Sequence, residues 1–407
     1  MDSTTPTPTR MHLLDVLRFG SAAAVVVYHF TATPSASRYW DADVTVLFEG
    51  ISHLTRYGWL AVEMFFVMSG FAILWSSQGR SVAQFTGSRV GRLYPAFWAC
   101  IVVTAVLQAF WAGGRHLTFG ETLANLTMAP ALLGAELSQV VYWTLLVELK
   151  FYVLVGVAML FGPLTRARVL GLAVGWPAVA LLVRGFGYPD LAEHLVVRHA
   201  VYLSIGMVIF LLWQDLSARR ESPDDRGRLG TATVATTLGV LLAWGSYQVV
   251  EAADRATALQ GVDVDPAVSV AVFLATVGAV WLATRPWAGF RSPALGAVCV
   301  LAGGLTYPLY LVHTQFGWAV TEWLTVRGVG TWATLAAAVL VSVLLAAVIH
   351  YAVERPFGSR LRRAVTARLD RRRAGRPAPA PAAVGAHPAG HAPLATAGPP
   401  LLDPQLR

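Results

Sequence analysis

Residues 13–33 read LLDVLRFGSAAAVVVYHFTAT, an apolar run long enough to cross a bilayer as a helix, yet interrupted by Asp15, Arg18 and His29. Arg18 and His29 are eleven residues apart. At 3.6 residues per turn that is close to three turns, so the two side chains lie within roughly 20° of one face. Their axial separation is about 16 Å, near half the hydrocarbon thickness. One face thus carries a cation towards one membrane surface and a titratable imidazole towards the other. Ionisable groups within a span are costly and point to function. The competing reading is structural, with Asp15 and Arg18 as an interfacial i, i+3 pair and His29 reaching the far headgroups.

Composition sets the class. Apolar residues make up 56% of the 407 and charged residues 13%, which predicts an all-α integral membrane protein. Ten apolar runs qualify as spans: 13–33, 57–77, 93–111, 140–162, 169–183, 199–213, 233–250, 267–284, 297–318 and 332–353. The fifth and sixth are short. Trp and Tyr gather near many of the ends, as interfacial anchors do. The first run is expected to be a retained helix and not a cleaved leader, because it is long and few cations precede it.

With a cytoplasmic N-terminus, ten spans place most of the 31 Lys and Arg on the inside, as topology rules require. Both termini are therefore expected in the cytoplasm, and the membrane is expected to be the plasma membrane. The net charge of +8 follows from this topology and does not call for nucleic acid. Membrane lipids are the expected partners of the basic stretch 355–376. Cys100 and Cys299 stand alone in apolar runs and match no metal or disulfide spacing, so no metal is expected. The Ala/Pro/Gly-rich segment 377–407 is expected to be disordered. The organisation is thus a short cytoplasmic N-terminus (1–12), a membrane domain (13–357) and a basic, then low-complexity cytoplasmic tail (358–407).

Depth places the polar residues. In an inward-running second span, Glu63 lies about 9 Å below the outer surface, and Glu148 in the fourth span lies at a similar level. His29 and His313, on outward-running spans, fall close to the same depth. Two carboxylates and two imidazoles at one level are expensive apart, and cheap if they share hydrogen bonds around a polar cavity. At the opposite face the segment 77–95, SQGRSVAQFTGSRVGRLYP, holds Arg80, Arg89 and Arg92 and no acid. Arg89 and Arg92, at i, i+3, point one way on a helical turn, with Arg18 at their level. Arginines without local carboxylates suit a polyphosphate, whereas ordinary topogenesis explains their presence but not the doublet beside a span.

The order of these pieces resembles the acyltransferase-3 family of membrane acyltransferases. The matching stretches are LDVLRFGSAAAVVVYHF (14–30), GWLAVEMFFVMSGFAIL (58–74), SRVGRLYP (88–95), YWTLLVELKFY (142–152), GGLTYPLYLVHTQF (303–316) and VERPF (353–357). The resemblance implies about ten spans and transfer of acyl groups, often acetyl from coenzyme A, to hydroxyls of sugars, glycans or natural products. It implies that Arg18 and His29 are essential, with His29 catalytic, and that Arg89 and Arg92 handle acyl-CoA. Glu148 falls on the family's W-x-L-x-V-E pattern. Two departures stand out: Glu63 occupies a position where the family commonly has aspartate, and Leu149-Lys150 replaces a polar Glu-Gln.

Geometry and resemblance together give an expected mechanism. Acyl-CoA, with acetyl-CoA as the first candidate, binds from the cytoplasm with its phosphates on Arg18, Arg89 and Arg92. Its pantetheine arm reaches up a central polar cavity towards His29, which acts as general base on an acceptor hydroxyl. Glu148 orients the imidazole in the manner of a triad carboxylate. Glu63 and His313 contact substrate. A transporter or flippase of a glycan or lipid-linked sugar is the alternative, and would want inverted repeats or helices broken at residues such as Pro308. A non-catalytic scaffold leaves the depth-matched residues unexplained.

Overall fold

The computed structural model describes residues 11–221, 227–285 and 292–374, and among them there is helix and no strand. In chain order the helices are α1 (His12–Thr31), α2 (Pro34–Trp40), α3 (Val44–Leu47), α4 (Glu49–Thr55), α5 (Leu60–Ser77), α6 (Val82–Phe110), α7 (Phe119–Asn125) and α8 (Trp143–Leu160). They continue as α9 (Arg166–Gly185), α10 (Pro189–His194), α11 (Ala200–Glu221), α12 (Gly227–Gln260), α13 (Pro266–Ala283), α14 (Pro293–Thr325), α15 (Thr331–Ile349) and α16 (Arg355–Ala374). Ten helical runs among the described residues are long and apolar enough to cross a membrane, one for each expected span. The fifth and sixth, read as short, extend over Arg166–Gly185 and Ala200–Ala218. Residues 375–407, where disorder is expected, lie outside the described residues.

The third span departs most from expectation. It starts at Val82, not near residue 93, so Arg89 and Arg92 sit on a helix and not in a loop. A capping box starts it: Ser81 Oγ accepts from the Gln84 N–H at 3.2 Å, and the Ser81 N–H donates to Gln84 Oε1 at 3.0 Å. The ninth span differs too. α14 is about 50 Å long, exceeding the hydrocarbon core, and runs through Pro308 as one helix. The tenth run continues through a single π turn, His350–Glu354, into the basic helix α16.

Small residues set how closely the helices approach. α11 is buried continuously from Ala200 to Leu211 and lies against α5. There a β-carbon at Gly206 would overlap the Val67 carbonyl, and one at Gly70 the Leu203 carbonyl. α1 packs on α14, where Gly303 leaves room for the Asp15 carboxylate and Gly317 for the Phe30 ring. α16 lies along α6, and a β-carbon at Gly358 would stand 2.7 Å from the Gly91 carbonyl oxygen. These contacts, with α8 packed on α5 and α6, surround the polar residues described next.

Candidate functional site

The polar residues form two connected groups along α1. At the Arg18 end, a cavity of about 120 Å³ is lined by Arg18, Arg89, Arg92, Ser69, Glu148 and Tyr152, and it extends to Thr144, Thr306 and Tyr310. Glu148 Oε1 accepts from the Ser69 hydroxyl at 2.9 Å and from the Tyr152 phenol at 2.5 Å. Arg89 donates to Ser76 Oγ at 2.9 Å, and its guanidinium lies over the Phe85 and Tyr152 rings at 5.7 and 5.8 Å. Arg89 Nε is buried with no hydrogen-bond acceptor. Arg18 is 3.8 Å from Asp15, and among the described residues no ion pair within 4 Å joins Glu148 to any of the three arginines. Three guanidinium groups against two carboxylates, Asp15 and Glu148, leave an excess of positive charge in a confined space, and an orphaned donor beside it. That combination fits a multiply charged anion.

At the other end of α1, His29 and His313 are hydrogen-bonded directly. His313 Nε2 is 3.1 Å from His29 Nδ1, and the ring centroids are 5.1 Å apart. His313 is fully buried, and its Nδ1 lies 2.9 Å from the Tyr310 carbonyl oxygen and 3.2 Å from that of Leu309. Carbonyl oxygens only accept, so His313 Nδ1 carries the proton and its Nε2 is the acceptor. His29 Nδ1 therefore carries the proton facing it, shared with the Val25 carbonyl oxygen at 3.0 Å. The network leaves His29 Nε2 with a free lone pair, which is what a general base requires.

Tyr310 links the two groups. Its ring stands 5.8 Å from that of His313, its hydroxyl is 2.7 Å from Thr144 Oγ, and both it and Thr144 line the arginine cavity. Beyond the histidines lies an aromatic wall. Trp318 is 6.5 Å from His29, Tyr39 stacks on Trp318 at 5.0 Å, and Trp111 stands 5.5 Å from Tyr39. Trp111 Nε1 donates to Glu322 Oε2 at 2.6 Å, and Gln315 Oε1 close by is buried without a donor. Burial pushes the Tyr39 phenol above its ordinary range, so the hydroxyl remains protonated and donates to the Gly113 carbonyl oxygen at 3.3 Å.

Of the four residues expected at one depth, His29 and His313 meet, whereas Glu63 and Glu148 stand elsewhere. Glu148 is with the arginines, so it does not orient the His29 imidazole. The depth estimate assumed that the fourth span begins at the membrane surface. The segment before it, Ser138, Gln139, Val141 and Tyr142, is instead at most 3% exposed, with the Tyr142 phenol donating to the Leu311 carbonyl oxygen at 3.0 Å. α8 thus starts inside the bundle and carries Glu148 further towards the Arg18 end. Glu63 stands beside His199, with Oε2 and Nδ1 3.6 Å apart and neither atom hydrogen-bonded, under the Trp143 and Phe66 rings at 5.0 and 5.2 Å from the imidazole. It has no contact with His29. His199, Tyr152, Ser69, Tyr310 and the aromatic wall are not among the residues the sequence points to. Each is an ordinary core residue by pattern, and only the fold gives it neighbours. Lys150 faces away, its Nζ 3.5 Å from the Glu193 carbonyl oxygen.

A sequence profile of the Acyl_transf_3 family, described as an acyltransferase domain, matches residues 11–351. Over 103 residues the chain is 31% identical to the acyltransferase MdmB of Streptomyces mycarofaciens, a stretch covering 25% of each protein. The chain thus aligns with about a quarter of that relative's length. No solved structure matches the chain.

Proposed function

The chain belongs to the acyltransferase-3 family, and from that premise we propose that it is a membrane-bound O-acyltransferase. The donor is acyl-CoA, with acetyl the acyl group to test first, and the acceptor is a hydroxyl of a sugar, glycan or natural product. The observation that carries this reading is the His29–His313 pair, with its free Nε2 lone pair, beside a cavity edged by three arginines.

Donor phosphates bind at Arg18, Arg89 and Arg92, where positive charge is in excess and Arg89 Nε lacks an acceptor. A cavity of about 120 Å³ is too narrow for a nucleotide but suits a slender arm. The axial run of about 16 Å from Arg18 to His29 is comparable with an extended pantetheine. Tyr310 and Thr144 line the way to the histidines. The Ser69–Glu148–Tyr152 bonds hold the Tyr152 ring against Arg89, which assigns Glu148 to shaping the donor path.

His29 Nε2 takes the proton of the acceptor hydroxyl as its oxygen attacks the thioester carbonyl carbon. The resulting tetrahedral intermediate collapses with cleavage of the carbon–sulfur bond. The departing thiolate takes that proton from His29, leaving an ester, free CoA thiol and neutral His29. During the step His29 is a cation, and His313 Nε2 stabilises it by accepting a hydrogen bond from its Nδ1–H, while the Tyr310 and Leu309 carbonyls hold His313 in the right tautomer. The acceptor approaches over Tyr39, Trp111 and Trp318, whose rings suit the C–H faces of a sugar or a polyhydroxylated ring. With both termini cytoplasmic, the donor enters from the cytoplasm of a plasma-membrane protein and the acceptor from the far side.

Purified protein given acetyl-CoA and a panel of hydroxyl acceptors should release CoA thiol, and His29→Ala should abolish release while eluting as the same folded species. Release at the wild-type rate by that variant would remove His29 from the chemistry. Binding of a glycan without thiol release would favour a carrier.

A further inference from the structure

We propose that the groove between α6 and α16 seats the nucleotide end of the donor, so that the C-terminal basic helix completes the acyl-CoA site. This rests on acyl-CoA being the donor. The cavities are contiguous. The one at Tyr152 and Glu148 shares Arg18, Ala72 and Arg92 with a wider one of about 760 Å³, lined also by Asp15, Arg80, His350, Glu354 and Arg355. That cavity in turn shares Arg80 with a third, of about 470 Å³, between the start of α6 and the face of α16. The third has a volume suited to a nucleoside, whereas the first does not. Acyl-CoA carries a pyrophosphate beside the pantetheine arm and a further phosphate on the ribose. The arginines at the narrow cavity account for the first of these alone.

The lining of the third cavity matches the remainder. Arg80, Arg362 and Arg363 converge there, opposed by the single carboxylate of Asp370, with Gln84, Ser88 and Thr366 as neutral polar partners. Among the described residues no ion pair within 4 Å takes up any of these three arginines. Arg80 donates to Ser88 Oγ at 3.2 Å, which holds it over the groove. The arginines of α16 are not on a free tail. Gly91 meets Gly358 backbone to backbone, a β-carbon at Gly87 would stand 2.9 Å from the Arg362 carbonyl oxygen, and Thr366 Oγ donates to the Ala83 carbonyl oxygen at 3.4 Å. The helix starts at Arg355, beyond the stretch 11–351 that matches the family profile, whereas Arg80, Gln84 and Ser88 on the facing side of the groove lie within it. An anionic lipid headgroup offers the same phosphate chemistry, and the test separates the two.

Full-length protein in nanodiscs of neutral lipid would be assayed with acetyl-CoA, acetyl-3′-dephospho-CoA and S-acetylpantetheine. The paired variant Arg362→Ala/Arg363→Ala would be compared with Arg368→Ala, an exposed control outside the groove. The paired variant should raise KM for acetyl-CoA about tenfold at unchanged kcat. It should leave S-acetylpantetheine turnover as in wild type, which also reports that it is folded. The wild-type preference for acetyl-CoA over the dephospho donor should shrink with it. An equal effect on all donors, or none, overturns the subsite. A defect that appears only when anionic lipid is titrated into the nanodisc assigns the arginines to headgroups and also overturns it. Wild-type protein that uses no CoA thioester overturns the donor reading, and the subsite with it.

Discussion

His29 and Arg18 carry the same information in the sequence and in the fold, because their relation is set by one helix and eleven residues of spacing. Relations between helices were less legible. Depth brought His313 to His29 correctly, since α1 and α14 pack side by side with Gly303 and Gly317 clearing the way. It failed for Glu63, which faces His199, because depth carries no information about which way a side chain faces around its helix axis. The Glu63–His199 pair is therefore assigned to holding α5 against the start of α11. Glu63→Gln should lower the thermal midpoint, at a cost of about 1–3 kcal/mol, while leaving donor KM and kcat as in wild type. Thermal unfolding of the purified variant beside its steady-state kinetics checks this. A selective rise in KM would return Glu63 to substrate contact.

At the scale of the element, hydropathy located all ten spans but misplaced their ends. α6 begins at a Ser81–Gln84 capping box that was visible in the sequence, yet the arginines after it broke the apolar window and hid the helix. Fixing Arg89 and Arg92 on that helix, and not in a loop, is what aims them with Arg18 into one cavity. The buried 3-10 turn Val140–Tyr142 had the opposite effect, reading as membrane helix while serving as an interior anchor for α14. The pairing of α5 with α11 depends on backbone approach at Gly70 and Gly206. A methyl group at Gly206 would also lie 2.8 Å from the Phe71 nitrogen. Gly206→Ala should force the helices apart and destabilise by about 1–3 kcal/mol, seen as a lower midpoint in a detergent thermal melt. An unchanged midpoint would mean that α5 and α11 part without cost.

At the scale of the whole molecule, three cavities and a histidine pair lie along one path, and the proposed function puts its arginine-rich end at the cytoplasm. Charge asymmetry supplies the direction, and neither the cavities nor their connection can be read from composition. Single cysteines test the direction, with Gln84→Cys at the arginine end and Ala42→Cys at the histidine end. Both sites are exposed, while the native Cys100 and Cys299 are buried. A membrane-impermeant maleimide should label Ala42→Cys in intact cells and Gln84→Cys only after permeabilisation. The reverse pattern would place the donor end outside.

In the proposed mechanism His313, and not Glu148, orients the His29 imidazole. Measuring kcat at saturating acetyl-CoA for His313→Ala and Glu148→Gln in one preparation tests it most directly. His313→Ala should lose about 10²–10⁴-fold in kcat, while Glu148→Gln should stay within about tenfold of wild type and show its defect in donor KM. A Glu148→Gln enzyme that loses kcat as severely, beside a His313→Ala enzyme that keeps it, would contradict the claim.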